Sequence, residues 1–465
     1  MMENDKLDQD GRYILENFTQ ARPFASFLPG IAGKLGIPMW AFYVNRGQAI
    51  ASFGVENKDN PIMEFEPANK AYQTTPYTGF RTFLKIKNGA DATLYEPFSP
   101  WNATDNSKMF IGMNELELQT TSEVHGIQTS VLYFTLPDES FAGLVRQVAV
   151  TNIGDDPLVL EILDGMPRIM PYGVDNRGLK EMGRTTEAWM AVFNLDHGVP
   201  FYRFQASAGD TAEVSEILAG HFYLAFDSSG QLLQPFVDPS VVFGQNTALN
   251  LPDQFIEHPL VELSRQRQIT TGRTPCGFFG TGATLEPGEI LTLFAIIGHV
   301  SNVEHLHRDV ERLAQSAYIH SKRQEAKQLV SQLTEVIATQ TSLPLFDAYV
   351  RQTFLDNILR GGWPIILGEE NKHIVFHIYS RKHGDLERDY NYYYLAAEPY
   401  SQGNANYRDV NQNRRCDVLF KPEVGDFNVQ AFLGLIQPDG YIPLSVDGSR
   451  FSLPTEHRAT VLALV

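Results

Sequence analysis

Cysteine is nearly missing from this sequence: Cys276 and Cys416 are the only two, far apart and each without a second thiol at metal-ligand spacing. Neither a disulfide framework nor a structural zinc site follows from such a pair. Positive charge is in deficit as well. With 37 Lys and Arg against 55 Asp and Glu, the formal charge of -18 opposes the phosphate neutralisation on which nucleic-acid binding depends, and it disfavours anionic membranes. No run of about 18 apolar residues occurs, so no transmembrane helix is expected. The opening Met1-Met2-Glu3-Asn4-Asp5 lacks the cationic start and apolar stretch of a secretory signal. These absences together point to the cytoplasm. Also missing are a Gly-x-Ser-x-Gly elbow, a Walker-type phosphate loop and a Gly-x-Gly-x-x-Gly fingerprint.

What remains is a folding chain. Hydrophobic residues at 43% against 20% charged exclude wholesale disorder, and 465 residues suit two or three domains. From about residue 12 to 300, short apolar or alternating segments are separated by Gly, Pro, Asn and Asp at sheet-protein spacings. Val145 to Thr151 and Leu158 to Leu163 read as a hairpin, with turn chemistry from Asn152 to Pro157. Ile127 to Leu136, His221 to Phe226 and Ile290 to Val300 are further strands, and no long helix is read among them. The expectation for residues 1–300 is a large antiparallel β-sandwich.

The texture changes at Ser301. Ser301 and Glu304 form a capping-box pattern. Ala326, Leu329, Val330, Leu333, Val336 and Ile337 then repeat at helical spacing, which makes residues 301–342 a helical linker with one buried side. Leu343 and Pro344 restart the chain, Phe346, Val350, Phe354 and Ile358 continue an apolar stripe, and Gly361 and Gly362 stop it. A further helix is expected from about Asp426 to Ile436.

Two clusters hold residues that could carry chemistry. The denser runs through Asn404, Asn406, Tyr407, Arg408, Asp409, Asn411, Gln412, Asn413, Arg414, Arg415 and Asp417, flanked by Tyr392, Tyr393, Tyr394 and Tyr400. Carboxylate and guanidinium groups chelate adjacent hydroxyls, and aromatic faces cover the apolar side of a pyranose. The same composition also fits a solvated loop with internal salt bridges. The second cluster spans Arg381 to Asp389, where Asp385, Glu387 and Asp389 would share one face of an extended segment as acid/base carboxylates might. Mixed-sign charge of this density is also a common surface. His373, His377 and His383 lack His-Glu-x-x-His spacing, so no metal site is expected. Cys416 reads as a passive thiol.

Two stretches carry a likeness. Phe24 to Gly33 (Phe-Ala-Ser-Phe-Leu-Pro-Gly-Ile-Ala-Gly) with Gly36 to Gln48, and Arg381 to Asp417 continuing through Asn428 to Tyr441, resemble bacterial β-glucan phosphorylases. These are relatives of cellobiose phosphorylase in glycoside hydrolase family 94, and the likeness is strongest to the 1,2-β-oligoglucan phosphorylase type. The resemblance implies a β-super-sandwich over 1–300, the linker over 301–342 and the N-terminal part of an (α/α)6 barrel over 343–465. It implies that Tyr407, Arg408, Asp409 and Gln412 contact sugar, with Asp417 sharing the role. It also implies inverting phosphorolysis of β-glucan oligosaccharides to α-glucose 1-phosphate, no cofactor beyond inorganic phosphate as co-substrate, and a homodimer.

In that family a general-acid Asp sits in a Trp-Asn-Asp motif further along. Here Trp101 and Asn102 are followed by Ala103, so no catalytic residue is assigned. An (α/α)6 barrel needs on the order of 200 residues and about half of that follows the linker, so the chain is expected to be cut short and inactive alone. Two other readings stay open: a non-catalytic carbohydrate-binding or assembly module, and a small glycosidase using Asp385, Glu387, Asp389 or Asp409.

Overall fold

A computed structural model describes residues 6–89, 91–102, 104–173, 175–206, 216–368, 373–382 and 392–463. The chain divides into two compact units, residues 1–355 with 384–400 and residues 356–383 with 401–465. The acidic cluster of Asp385, Glu387 and Asp389, with His383, lies outside the described residues. Among those described, no helix is long and apolar enough to cross a membrane.

The first unit is built on three antiparallel sheets of ten, five and four strands. Strands with alternating burial, such as Glu115–Ser122, show why: every second side chain enters the core while its neighbours face away. Met109, Leu118, Val131, Leu144, Ile162 and Ile297 belong to one continuous apolar core fed by all three sheets. The Ile290–Val300 strand pairs with Ala142–Asn152 on one side and Gly220–Asp227 on the other, so it occupies the middle of the ten-stranded sheet.

The expected hairpin is not one. Ala142–Asn152 pairs with Ile127–Thr135 and Ile290–Val300 in the ten-stranded sheet, whereas Leu158–Met166 pairs with Arg81–Asn88 and Gly277–Leu285 in the five-stranded sheet. The turn chemistry is present, but it carries the chain from one sheet to the other. Asn152 accepts from the Gly154 amide at 2.9 Å and donates to the carbonyls of Asp156 and Leu285, at 2.8 and 2.9 Å. The last of these bonds reaches a strand remote in sequence, which no local pattern reports.

A second departure is α1 (Ala68–Thr78), an eleven-residue helix inside the region read without long helices. Pro76 within it and its weak amphipathic pattern hide it from a periodicity argument.

The ten-stranded sheet's other face is covered by α2 (Val303–Leu313) and α3 (Ser316–Thr334), whose Leu306, Leu313, Ile319 and Ala326 pack with Phe134, Phe222 and Phe294. The α2 cap lies one residue later than expected. Asn302, in an extended conformation, accepts from the Glu304 amide at 3.1 Å, and Ser301 makes no cap bond. Charges fix both helices. Arg312 grips Glu139 with two bonds of 2.9 Å, Lys322 reaches Glu139 at 3.1 Å, and Arg323 grips Glu115 at 2.8 and 3.0 Å. Burial pushes both glutamates up, yet these cations outweigh it and hold each below the usual carboxylate range.

Between the ten- and five-stranded sheets lies an ion pair. Fully buried Arg146 donates from Nε and Nη2 to the two oxygens of Asp164, at 3.1 and 2.7 Å. Thr82 donates to the same carboxylate at 2.6 Å, and Tyr133 and Gln48 accept from the guanidinium. Arg146→Met is expected to cost about 3–5 kcal/mol in urea unfolding, because it strands a buried carboxylate. Adding Asp164→Leu should recover most of that loss; a double variant as unstable as the single one would show that packing, not the orphaned charge, sets the cost.

Candidate functional site

The second unit holds all five residues expected to contact sugar. It opens within α4 (Pro344–Gly361), which ends where expected: Gly362 takes φ +91° and its amide bonds the Ile358 carbonyl at 2.7 Å. A two-stranded sheet follows, Trp363–Leu367 with Ile374–Ile378, then α5 (Tyr407–Arg414), α6 (Asp417–Phe420) and α7 (Phe427–Gly434). The last is two residues shorter at its end than the periodicity suggested.

The α5 helix sorts the candidates by face. Tyr407 and Val410 turn inward and pack with Ala405 and Phe432, and the Tyr407 hydroxyl donates to the Phe432 carbonyl at 3.1 Å. Tyr407 is therefore a core residue of this unit. Arg408, Asn411, Gln412 and Arg415 are exposed at positions i, i+3, i+4 and i+7, which puts them on one helical face. Asp409 sits in the first turn, where the helix dipole favours a carboxylate. It accepts from Asn406 Nδ2 at 3.0 Å and from Arg408 at 3.2 Å. Burial acts to raise its pKa, but the Asn406 bond and the Arg408 charge prevail and hold it low. Arg408 and Gln412 are thus exposed one helical turn apart, and the partly buried Asp409 carboxylate lies 3.2 Å from the Arg408 guanidinium.

Asp417 is elsewhere. It starts α6, is 8% exposed, and accepts from His377 Nε2 and Asn428 Nδ2, each at 2.8 Å. Asn428 Nδ2 also meets the Arg414 carbonyl at 3.1 Å, and the Arg414 guanidinium donates to the Gly361 carbonyl at 2.7 Å and to Ser380 Oγ at 3.3 Å. Gln402 closes the network by bonding the His377 carbonyl and accepting from the Ser449 amide, both at 2.7 Å. Burial and the nearby Arg414 charge bring the His377 pKa down to about 4 against the opposing pull of Asp417. The imidazole is neutral at pH 7, so its contact with Asp417 is a hydrogen bond from Nε2 and not an ion pair. Burial also lowers Arg414 to about 10.

His377, weighed above only as a metal ligand, is thus the residue that orients Asp417. Their separation of 40 residues leaves no sequence signal. Tyr393 likewise is no sugar-stacking ring: it is buried in the first unit against Trp40 and Phe42, at centroid distances of 5.6 and 5.8 Å. Tyr392 and Tyr400, also in the first unit, are exposed.

Neither a family profile nor a curated protein sequence matches the chain. Among solved structures it is similar to a bacterial glucoamylase complexed with acarbose, at 9% identity and TM-score 0.42 over 91% of this chain and 51% of that one. It is also similar to a polysaccharide lyase, at 12% and 0.33 over 59% and 34%, and to a candidate kojibiose phosphorylase from the human microbiome, at 7% and 0.26 over 74% and 32%. The chain spans between about a third and a half of these structures' lengths. All three are named as enzymes acting on carbohydrates, and at these scores the likeness transfers no activity.

The His377 network has a pH signature. The folded state keeps this imidazole neutral down to about pH 4, whereas the unfolded chain protonates it near pH 6.5. The unfolded state therefore binds more protons in that window, and stability should fall as pH drops from 6.5 towards 4. His377→Gln should make that part of the profile shallower in thermal unfolding at pH 7.5 and 5, the buried His221 and His299 keeping the rest of the slope; an unchanged slope would refute the neutral assignment. Asp417→Ala, which removes an acceptor from two buried donors, should cost about 1–3 kcal/mol.

Proposed function

We propose that this chain serves the phosphorolysis of β-glucan oligosaccharides, in the manner of the inverting β-glucan phosphorylases it resembles, and that its own share is to bind the sugar. In this reading Arg408, Asp409 and Gln412 contact hydroxyls directly, while Tyr407 and Asp417 hold α5 and α6 in place from behind. The observation that carries it is the start of α5, where the exposed Arg408 guanidinium meets a partly buried carboxylate held ionised, with the exposed Gln412 one turn on from Arg408. Such a set can chelate vicinal hydroxyls through charge-assisted bonds.

The reading extends to architecture. Residues 301–342 act as the linker, and the helices from residue 343 onward are the opening of an (α/α)6 barrel. Inorganic phosphate is the co-substrate, a homodimer the working form and the cytoplasm the compartment. Phosphate supplies the nucleophile, so the reaction asks one protein carboxyl to protonate the leaving oxygen. The Trp-Asn-Asp motif that carries this acid in the family does not occur in these 465 residues. The chain alone is then a binder.

Calorimetry with linear β-glucan oligosaccharides tests the binding role. Arg408→Ala should weaken affinity about ten- to a hundredfold, the equivalent of roughly 1.5–3 kcal/mol for charge-assisted bonds. Affinity equal to wild type would reject this face as the sugar contact. In a coupled assay with phosphate, the purified chain should release no glucose 1-phosphate, and measurable release would overturn the assignment of the acid to a missing motif.

A further inference from the structure

The Arg146–Asp164 pair has a polar neighbour outside its network. Tyr223, in the Gly220–Asp227 strand, is fully buried, and its hydroxyl has no hydrogen-bond partner within the protein. Buried hydroxyls are ordinarily satisfied, because one left unmet gives up its bonds to water on folding and gains nothing in return. A small cavity lies beside it. Tyr223, Arg146 and Asp164 form its polar wall, and Ala225, Phe279 and Ala295 belong to its apolar wall.

Strand register explains why there is space at this point. Arg146 stands opposite Ala295 of the central strand, and Ala295 stands opposite Ala225, so the guanidinium begins a row of three residues across three strands. Tyr223 precedes Ala225 by two positions and by alternation shares its face. The next residues on the same face of the central strand, Leu293 and Ile297, are large and fill their layers. Two methyl groups cannot do so. They leave about 10 Å³ for the centre of a water-sized molecule, which is room for one.

The polar wall narrows what that molecule can be. Asp164 accepts one bond from Thr82 and two from Arg146, while a carboxylate offers about four lone-pair sites, so it can take a further donor. Burial, with the Asp164 charge adding to it, raises the Tyr223 pKa well above its ordinary value, so the phenol keeps its proton and can donate. An organic ligand exceeds the space. A halide would meet a guanidinium already neutralised by Asp164, and a cation would face that guanidinium. Water both donates and accepts, and so serves the two groups at once. We propose that the cavity binds a single water molecule, which accepts from the Tyr223 hydroxyl and donates to the Asp164 carboxylate. It ties the Gly220–Asp227 strand into the network that joins the two sheets, and it does not depend on the sugar-binding reading of α5.

A double-mutant cycle in urea unfolding of the full chain tests the proposal, with a crystal structure as the direct view. Ala225→Val fills the cavity and should displace the water, stranding the Tyr223 hydroxyl and lowering the folding equilibrium constant about tenfold. In a Tyr223→Phe background there is no hydroxyl to strand, and the same Ala225→Val should cost little or stabilise. If Ala225→Val stabilises the wild-type chain, the cavity is dry and the proposal fails. It fails equally if Ala225→Val costs the same in both backgrounds, which is the signature of overpacking. Wild-type crystals should show one density peak within hydrogen-bond reach of Tyr223 Oη and the Asp164 carboxylate, absent in Ala225→Val. No peak there, or an anomalous bromide signal at that position in crystals grown with bromide, would overturn the assignment to water.

Discussion

Arg146 and Asp164 come from different sheets and meet in the buried interior, and that placement constrains both strands at once. A strand shifted by one residue turns all its side chains to the opposite face. A slip in Ala142–Asn152 would thrust the guanidinium among the phenylalanines beneath the helices, and a slip in Leu158–Met166 would leave it with no counter-charge. Burial of apolar surface supplies most of the stabilisation but is non-directional. The ion pair, held by Thr82, Tyr133 and Gln48, selects one arrangement among many that would bury similar area.

The same logic recurs at two other places. Glu115 in a strand and Glu139 in the loop before Ala142–Asn152 receive Arg312, Lys322 and Arg323, so helices that read as a connector are fastened at particular points of the sheet side. In the second unit Asp417 gathers His377 and Asn428 while Arg414 bonds two further segments, which lets a region of short helices and small sheets hold a definite shape. In each case a buried acid is met by groups distant in sequence.

That distance explains what the sequence disclosed and what it hid. Period and punctuation are local, so the Ile290–Val300 strand, the charged helices after residue 301 and the glycine stop at the end of α4 could all be read from their own residues. Pairing is not local. The turn after Asn152 has the composition of a hairpin, and only its bond to Leu285 reveals a crossing between sheets. The candidate site divides in the same way. Arg408 and Gln412 owe their position to helical spacing alone, whereas the inward turn of Tyr407 and the burial of Asp417 depend on Phe432, His377 and Asn428. Likewise His221 and His299, 78 positions apart, are neighbours only through strand register.

The central position of Ile290–Val300 has a consequence for synthesis on the ribosome. The strands on either side of it emerge more than 60 residues earlier, and until it arrives the large sheet exists as two parts, of six and three strands, each with an open hydrogen-bonding edge. Such edges invite pairing with other chains. The nascent protein is therefore most exposed to aggregation during translation of the stretch from about residue 228 to 300, and the step that ends this exposure is the insertion of a single eleven-residue strand.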